Sequence, residues 1–264
     1  MGSPDAASSA PTSTGPGQRP VQAPPRAPVG DSGASSRLTL CRAGAPSDHF
    51  SWGTFEVVRW KMPAFMGGGR DYLFAYKDGW VVYYRDEIEK QAVRRGLPPW
   101  LLAGVVWNEV GGDPGWIDDV ALELRAFDHL ADPYLEPMTI TRRPELTSMG
   151  EVSIQLRRAA QTMGLEWADL SGKERSELVS CLSDEPSNLA VVAMHLRQLA
   201  DVDYRGQASL GDKEVVVIGA RYNRGPHLTL EQINKDLSYG QAMLRRKDRL
   251  LQLMTPPPAG QSKP

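Results

Sequence analysis

The stretch LLAGVVWNEVGGDPGW, residues 101–116, runs almost wholly apolar and then places one carboxylate, Glu109, just before the glycine pair Gly111-Gly112. Read as a helix opened by Pro98 and Pro99, where proline is tolerated in the first turn, it carries Leu102, Val105, Val106 and Glu109 on one face. The acid therefore extends an apolar stripe instead of sitting among other charges. Desolvation by aliphatic neighbours and the partial negative charge of a helix C-terminus both favour its neutral form. A carboxylic acid kept protonated near neutral pH is a candidate general acid, and the glycine pair leaves room for a bulky ligand at the helix end. The competing reading is a solvated helix-end glutamate that follows a core face.

The flanking segments fill in the rest. FEVVRW (55–60) and DYLFAYKDGWVVYY (71–84) read as β-strands, the second turning at Asp78-Gly79 in a hairpin. RDEIEKQAVRRG (85–96) has acids first, Arg94 and Arg95 last and Gly96 as a stop, the charge order of a helix. DDVALELRAFDHLA (118–131) reads as another, capped by Asp118 or Asp119. TSMGEVSIQLRRAAQTMG (147–164) begins as an extended turn and becomes helical near Gln155. NLAVVAMHLRQLAD (188–201) is helical with Asn188 as N-cap. EVVVIGARYN (214–223) fits a buried strand or a helix equally, and residues 230–254 supply one or two closing helices. The expected fold is mainly α (α+β), a helical domain with a small β-hairpin and a short N-terminal β extension. Its parts are a disordered Pro/Ser/Ala-rich tail at 1–36, the β extension at 37–84, the helical domain at 85–254 and a second disordered tail at 255–264.

Composition narrows the function. The 264 residues are 41% hydrophobic, enough for a sizeable core, and the formal net charge of −2 argues against a nucleic-acid binder, which needs a basic face. No run approaches the ~18 apolar residues of a membrane span, so no membrane partner is expected. The N-terminal residues contain no apolar signal segment, which predicts synthesis in the cytoplasm without a signal peptide. Cys41 and Cys181 read as two buried free thiols, with a single bridge as the alternative. The four histidines show no ligand spacing, so no metal and no cofactor is expected, and His195 reads as a core or boundary residue.

The order apolar helix, Glu, Gly-containing turn, Asn-led helix, Tyr-Asn-x-Gly resembles the lysozyme-like superfamily, in particular soluble lytic transglycosylases and goose-type lysozymes. LLAGVVWNE is similar to the family's Glu-ending helix. TSMGEVSIQ is similar to its hairpin, with Ser148, Gly150 and Gln155 the best matches, NLAVVAMHLRQL to its Asn-led helix, and ARYNRGP (220–226) to its Tyr-Asn-Ala-Gly motif. The likeness spans roughly residues 84 to 250. It implies cleavage of the MurNAc-GlcNAc β-1,4 bond of peptidoglycan with Glu109 as acid and base. Tyr222 would pack against that glutamate and orient it. Ser148, Gln155 and Asn223 would line the saccharide groove. Trp107 falls near the proposed cleft, where it could stack on a sugar ring, with core packing as its default. Val110 stands where the family has a serine, and Glu151 and Ser153 stand where it has small or apolar residues.

Hydrolysis requires a second carboxylate, roughly 5 to 9.5 Å from the first. Asp113, Asp118, Asp119 and Glu151 are candidates; Glu151 lies in the hairpin that the resemblance places across the cleft from Glu109. Without a second carboxylate the resemblance implies a lytic transglycosylase, with one a muramidase. A wall-cutting enzyme without a signal peptide must reach its polymer by another route. An antibacterial effector exported by a secretion system fits, and implies an immunity protein. The rival reading is a non-catalytic lysozyme-like module that binds glycan or protein.

Overall fold

A helix apolar around its whole circumference belongs at the centre of a helical assembly, and residues 99–109 form such a helix. The computed structural model describes residues 38–41, 52–111, 148–207 and 209–256. In chain order these form α1 (Thr54–Lys61), α2 (Gly69–Tyr83), α3 (Arg85–Arg94), α4 (Pro99–Glu109), β1 (Ser148–Met149), β2 (Ile154–Gln155), α5 (Leu156–Thr162), α6 (Gly172–Leu182), α7 (Glu185–Asp203), α8 (Asp212–Arg224), α9 (Leu230–Asn234), α10 (Ser238–Arg245) and α11 (Lys247–Met254). The architecture is mainly helical. Every residue of α4 from Trp100 to Trp107 is buried, and the helix packs against α2, α3, α7, α8, α10 and α11.

Three expectations are corrected here. Residues 54–61 and 69–83 are helices, not a β extension. The aromatic positions explain why. Leu73, Tyr76, Lys77, Trp80, Val81 and Tyr84 recur at helical spacing, so a helix buries them on one face, with Trp80 and Val81 fully inside. Asp78 is not a turn residue but a side-chain acceptor, taking the Trp107 indole N–H at 2.8 Å and the Arg249 guanidinium at 2.8 Å. Asn188 is not an N-cap. Helix α7 starts three residues earlier, with the Asp184 carboxylate accepting the Ser187 backbone N–H at 3.1 Å and Pro186 in the first turn.

The third correction concerns the cysteines. Cys41 and Cys181 form a disulfide, with Cα atoms 5.1 Å apart. Leu38, 3% exposed in the main core, draws the 38–41 segment onto α6, where Cys181 lies. A separation of 140 residues hid this proximity from the sequence.

Other readings hold. Helix α3 ends beside Gly96, α4 opens at Pro99, and the 148–155 segment is a short antiparallel hairpin pairing Ser148 with Gln155 and Met149 with Ile154. The ambiguous 214–223 run lies wholly within α8. The helix expected at 118–131, the carboxylates Asp113, Asp118 and Asp119, and the tails at 1–36 and from residue 257 lie outside the described residues. Among those described, no helix is long and apolar enough to cross a membrane.

The bridge closes a loop of 140 residues, which by chain entropy restricts the unfolded state by up to about 5 kcal/mol. Urea unfolding with and without a reductant should show a loss of that order. A Cys41→Ser/Cys181→Ser variant should match the reduced protein and be indifferent to reductant.

Candidate active site

Glu109 is the last residue of α4, and the sequence around it forces both its burial and its partners. Because α4 is central, its C-terminal carbonyls end inside the protein, where they need donors. Lys77, 6% exposed on α2, supplies them. Its Nζ donates to the carbonyl oxygens of Trp107 at 2.9 Å, Asn108 at 3.1 Å and Val110. A cation at a helix C-terminus also complements the macrodipole. Burial draws the Lys77 pKa down to about 8, against the pull of the Glu109 charge.

The Glu109 carboxyl itself is pushed above its ordinary value. Desolvation is the largest cause, opposed by a hydrogen bond from Tyr239 and by the charge of Lys77. The Tyr239 hydroxyl donates to Glu109 Oε1 at 2.6 Å. Helix α10 brings that tyrosine in by an unusually close crossing over α8. A Cβ on Gly240 would overlap the Val216 carbonyl oxygen, and one on Gly219 would press against Gly240. Only glycine at 240 lets the helices meet this closely, and the neighbouring Tyr239 is thereby set on the acid.

Around Glu109 opens a cleft of about 420 Å³, within the range of ligand pockets. One wall is the hairpin and the start of α5, with Ser153, Ile154, Gln155, Arg157 and Arg158; the other is the end of α8 and its following turn, with Tyr222, Asn223, Arg224, Gly225 and His227. Both walls are fastened from behind. Asn188 Oδ1 accepts the Val152 N–H at 3.3 Å, and the Tyr222 hydroxyl donates to the Ser153 carbonyl at 2.8 Å. Gly150, at φ +82°, packs against Asn188 and the Leu182 carbonyl, a place closed to any side chain. Arg221, 1% exposed, holds Asp203 through two nitrogens and donates to the Leu228 carbonyl at 2.9 Å, which fixes the turn after α8.

His195 lies beneath the cleft, bonded to the Thr162 hydroxyl at 3.2 Å. Burial, helped by the nearby Arg158 charge, draws its pKa down to about 3, so the ring is neutral near pH 7.

The structure thus brings Glu109, Tyr222, Gln155 and Asn223 to one cleft. Two sequence-based roles change, and one alternative is settled. Tyr222 lies near Glu109, whose charge helps raise the tyrosine pKa, but its hydroxyl serves the hairpin, and Tyr239 is the residue that holds the acid. Glu151 does not line the cleft beside Glu109; its Oε1 accepts the Trp52 backbone N–H at 3.1 Å, tying the hairpin to the aromatic cluster of Trp52, Trp60 and Tyr76. Trp107 takes its default place in the core, 6% exposed and packed on Phe74 under the Arg246 guanidinium, and the alternative of a sugar-stacking face falls away. Ser148 contributes to the hairpin as the register partner of Gln155.

Lys77 and Tyr239 were missed. Lys77 had a signal, since it is the one cation on the stripe Leu73, Tyr76, Lys77, Trp80, Val81. Tyr239 had only its place beside Gly240. Comparison with known protein families, curated proteins and solved structures gives no match.

Two outcomes follow from this electrostatics. Between about pH 8 and pH 10 the unfolded chain keeps the Lys77 proton that the folded chain releases, so stability should rise with pH across that window. Urea unfolding from about pH 7.5 to 9.5 should show the rise in the native chain and lack it in Lys77→Met, which should also lose roughly 3 kcal/mol by leaving buried carbonyls unpaired. Tyr239→Phe removes a donor that favours the ionised carboxylate, so the Glu109 pKa should move further up. Carbon NMR titration of the carboxyl in both proteins checks it; a pKa unchanged or lowered would contradict the assignment.

Proposed function

We propose that this chain cleaves the glycan strands of peptidoglycan at the MurNAc-GlcNAc β-1,4 bond, through a lysozyme-like helical domain with Glu109 as general acid and base. The supporting observation is one carboxyl, held largely out of water with its pKa raised, opening onto a polar cleft beside Gln155 and Asn223. Such a group carries a proton at a pH where ordinary carboxylates have lost theirs, and can deliver it to a glycosidic oxygen.

The described residues of the cleft fit the lytic transglycosylase form, with a muramidase as the alternative. Among the described residues that line the cleft, Glu109 is the only acid, and Glu151 is occupied by the Trp52 N–H. In that form, which needs no second carboxylate, Glu109 donates its proton to the leaving oxygen as the C1–O bond breaks. As carboxylate it then accepts the proton of the muramic-acid C6 hydroxyl, whose oxygen bonds to C1. The product is a 1,6-anhydro ring, and Glu109 regains its proton.

A disulfide persists in oxidising compartments and is rare in the cytosol, so the Cys41–Cys181 bridge supports a site of action at the cell wall. We read the chain as an antibacterial effector, delivered by a secretion system to the periplasm of a target cell and countered by an immunity protein.

Mass spectrometry of fragments released from purified sacculi tests the chemistry. Anhydro-muramyl ends from the native chain, absent with Glu109→Gln, are expected. Reducing ends would make the enzyme a muramidase. Equal release by both proteins would remove Glu109 from catalysis, and none by either would leave a binding module.

A further inference from the structure

A second cavity, of about 380 Å³, shares no lining residue with the Glu109 cleft. Its walls are the 39–41 segment, the end of α3 with Gln91, Arg94 and Arg95, and the start of α7 with Pro186 and Ala190. It opens onto the cross-link from one side. Cys41 is half-buried and lies in the wall, whereas Cys181 is 5% exposed on α6 and is not part of it. The two sulfurs of one bond therefore differ in access.

Charge in this cavity has one sign. Arg94 and Arg95 end α3, and no acid lines the cavity among the described residues. Cations at a helix C-terminus complement its dipole, which accounts for their presence but not for how they are left. The Arg95 Nε is buried and bonds to nothing, and neither guanidinium meets a carboxylate among the described residues. Glu87, the acid one turn before Gln91, is taken by Lys90 at 2.9 Å and by Gln91 at 2.6 Å. A buried guanidinium nitrogen without a partner is costly, and an anion entering the cavity would supply the missing acceptor.

A cross-link open at one sulfur, with a cationic wall beside it, fits a reagent that is both anion and thiol. We infer that the cavity receives a small thiol bearing carboxylates, whose acid groups bind Arg94 and Arg95 while its sulfur attacks Cys41. Guanidinium matches a carboxylate in planar, two-point geometry, and neighbouring cations favour the thiolate that attacks. The thiolate bonds to the Cys41 Sγ as the Cys41–Cys181 bond breaks. The electron pair leaves on the Cys181 Sγ, which takes up a proton from water. A second reagent thiol then attacks the outer sulfur of the adduct and frees Cys41. Two reagent thiols become one disulfide, and the protein cross-link becomes two thiols. None of these groups lies in the Glu109 cleft, so the site stands whether or not the chain cuts glycan.

The test follows thiol release from the full bridged chain, without denaturant, by glutathione and by glutathione dimethyl ester, in which the carboxylates are blocked. Per thiolate, the native chain should react about tenfold or more faster with glutathione, as for one charge-assisted bond. That rate should saturate with concentration, and the ester's should stay linear. In Arg94→Gln/Arg95→Gln the ratio of the two rates should fall toward one, and in Arg94→Lys/Arg95→Lys it should recover in part. The ratio cancels any change in local opening, because both reagents attack the same bond. Mass spectrometry after a rapid acid quench should find the first adduct on Cys41. A native ratio near one, a ratio equal in native and Gln proteins, or a first adduct on Cys181 overturns the site.

Discussion

A carboxyl group at the inner end of a fully apolar helix is the constraint to which the neighbouring elements answer. Placing it there strands the last carbonyls of α4 away from water and denies the acid its solvation. Both deficits are met by side chains from elsewhere in the chain. Lys77 reaches from α2 to close the carbonyls, and Tyr239 reaches from α10 to bond the acid. Each of these depends on a packing feature of its own. The aromatic stripe of α2 buries the lysine stem, and the glycine contact at 240 admits α10. Helices distant in sequence are thereby committed to one carboxyl.

The cleft walls show a second economy. The two-stranded hairpin is too short to be stable alone, yet it supplies most of one wall. It is held by side chains that arrive from its rear, Asn188 from α7, Tyr222 from α8 and the Trp52 N–H on Glu151. The tyrosine is thus both wall and tie. A polar hairpin offering backbone and amide groups to the cleft is kept in place by partners that leave its front face open.

Much of the helical frame was legible in the sequence, because proline starts, glycine stops and charge order act within single turns. Residues 85–109 and 148–164 follow those local rules closely. The 71–84 segment did not read correctly, since an aromatic run interrupted by Asp-Gly satisfies both a hairpin pattern and a helical one, and burial against α4 decides between them. Glu109 stood out because a lone acid on an apolar face violates the local pattern. Its partners stayed hidden for the opposite reason: Tyr239 is 130 residues away, and nothing near it marks what it will touch. Glu151 and Trp107 were assigned by analogy of position, and what each bonds is set by the tertiary arrangement of α1, α2 and α11.

The cross-link between Cys41 and Cys181 has a topological consequence. A protein without such a bond can be drawn end-first through a narrow opening as a single strand once it is unfolded. Here any pull from either terminus meets a covalent ring closed between residues 140 apart, whose two arms, with the tail beyond the second cysteine beside them, must pass together or not pass at all. The bridged chain therefore discriminates between conduits by their bore. A pore that fits one extended strand admits it only in the dithiol form, and the bond that closes afterwards bars the way back.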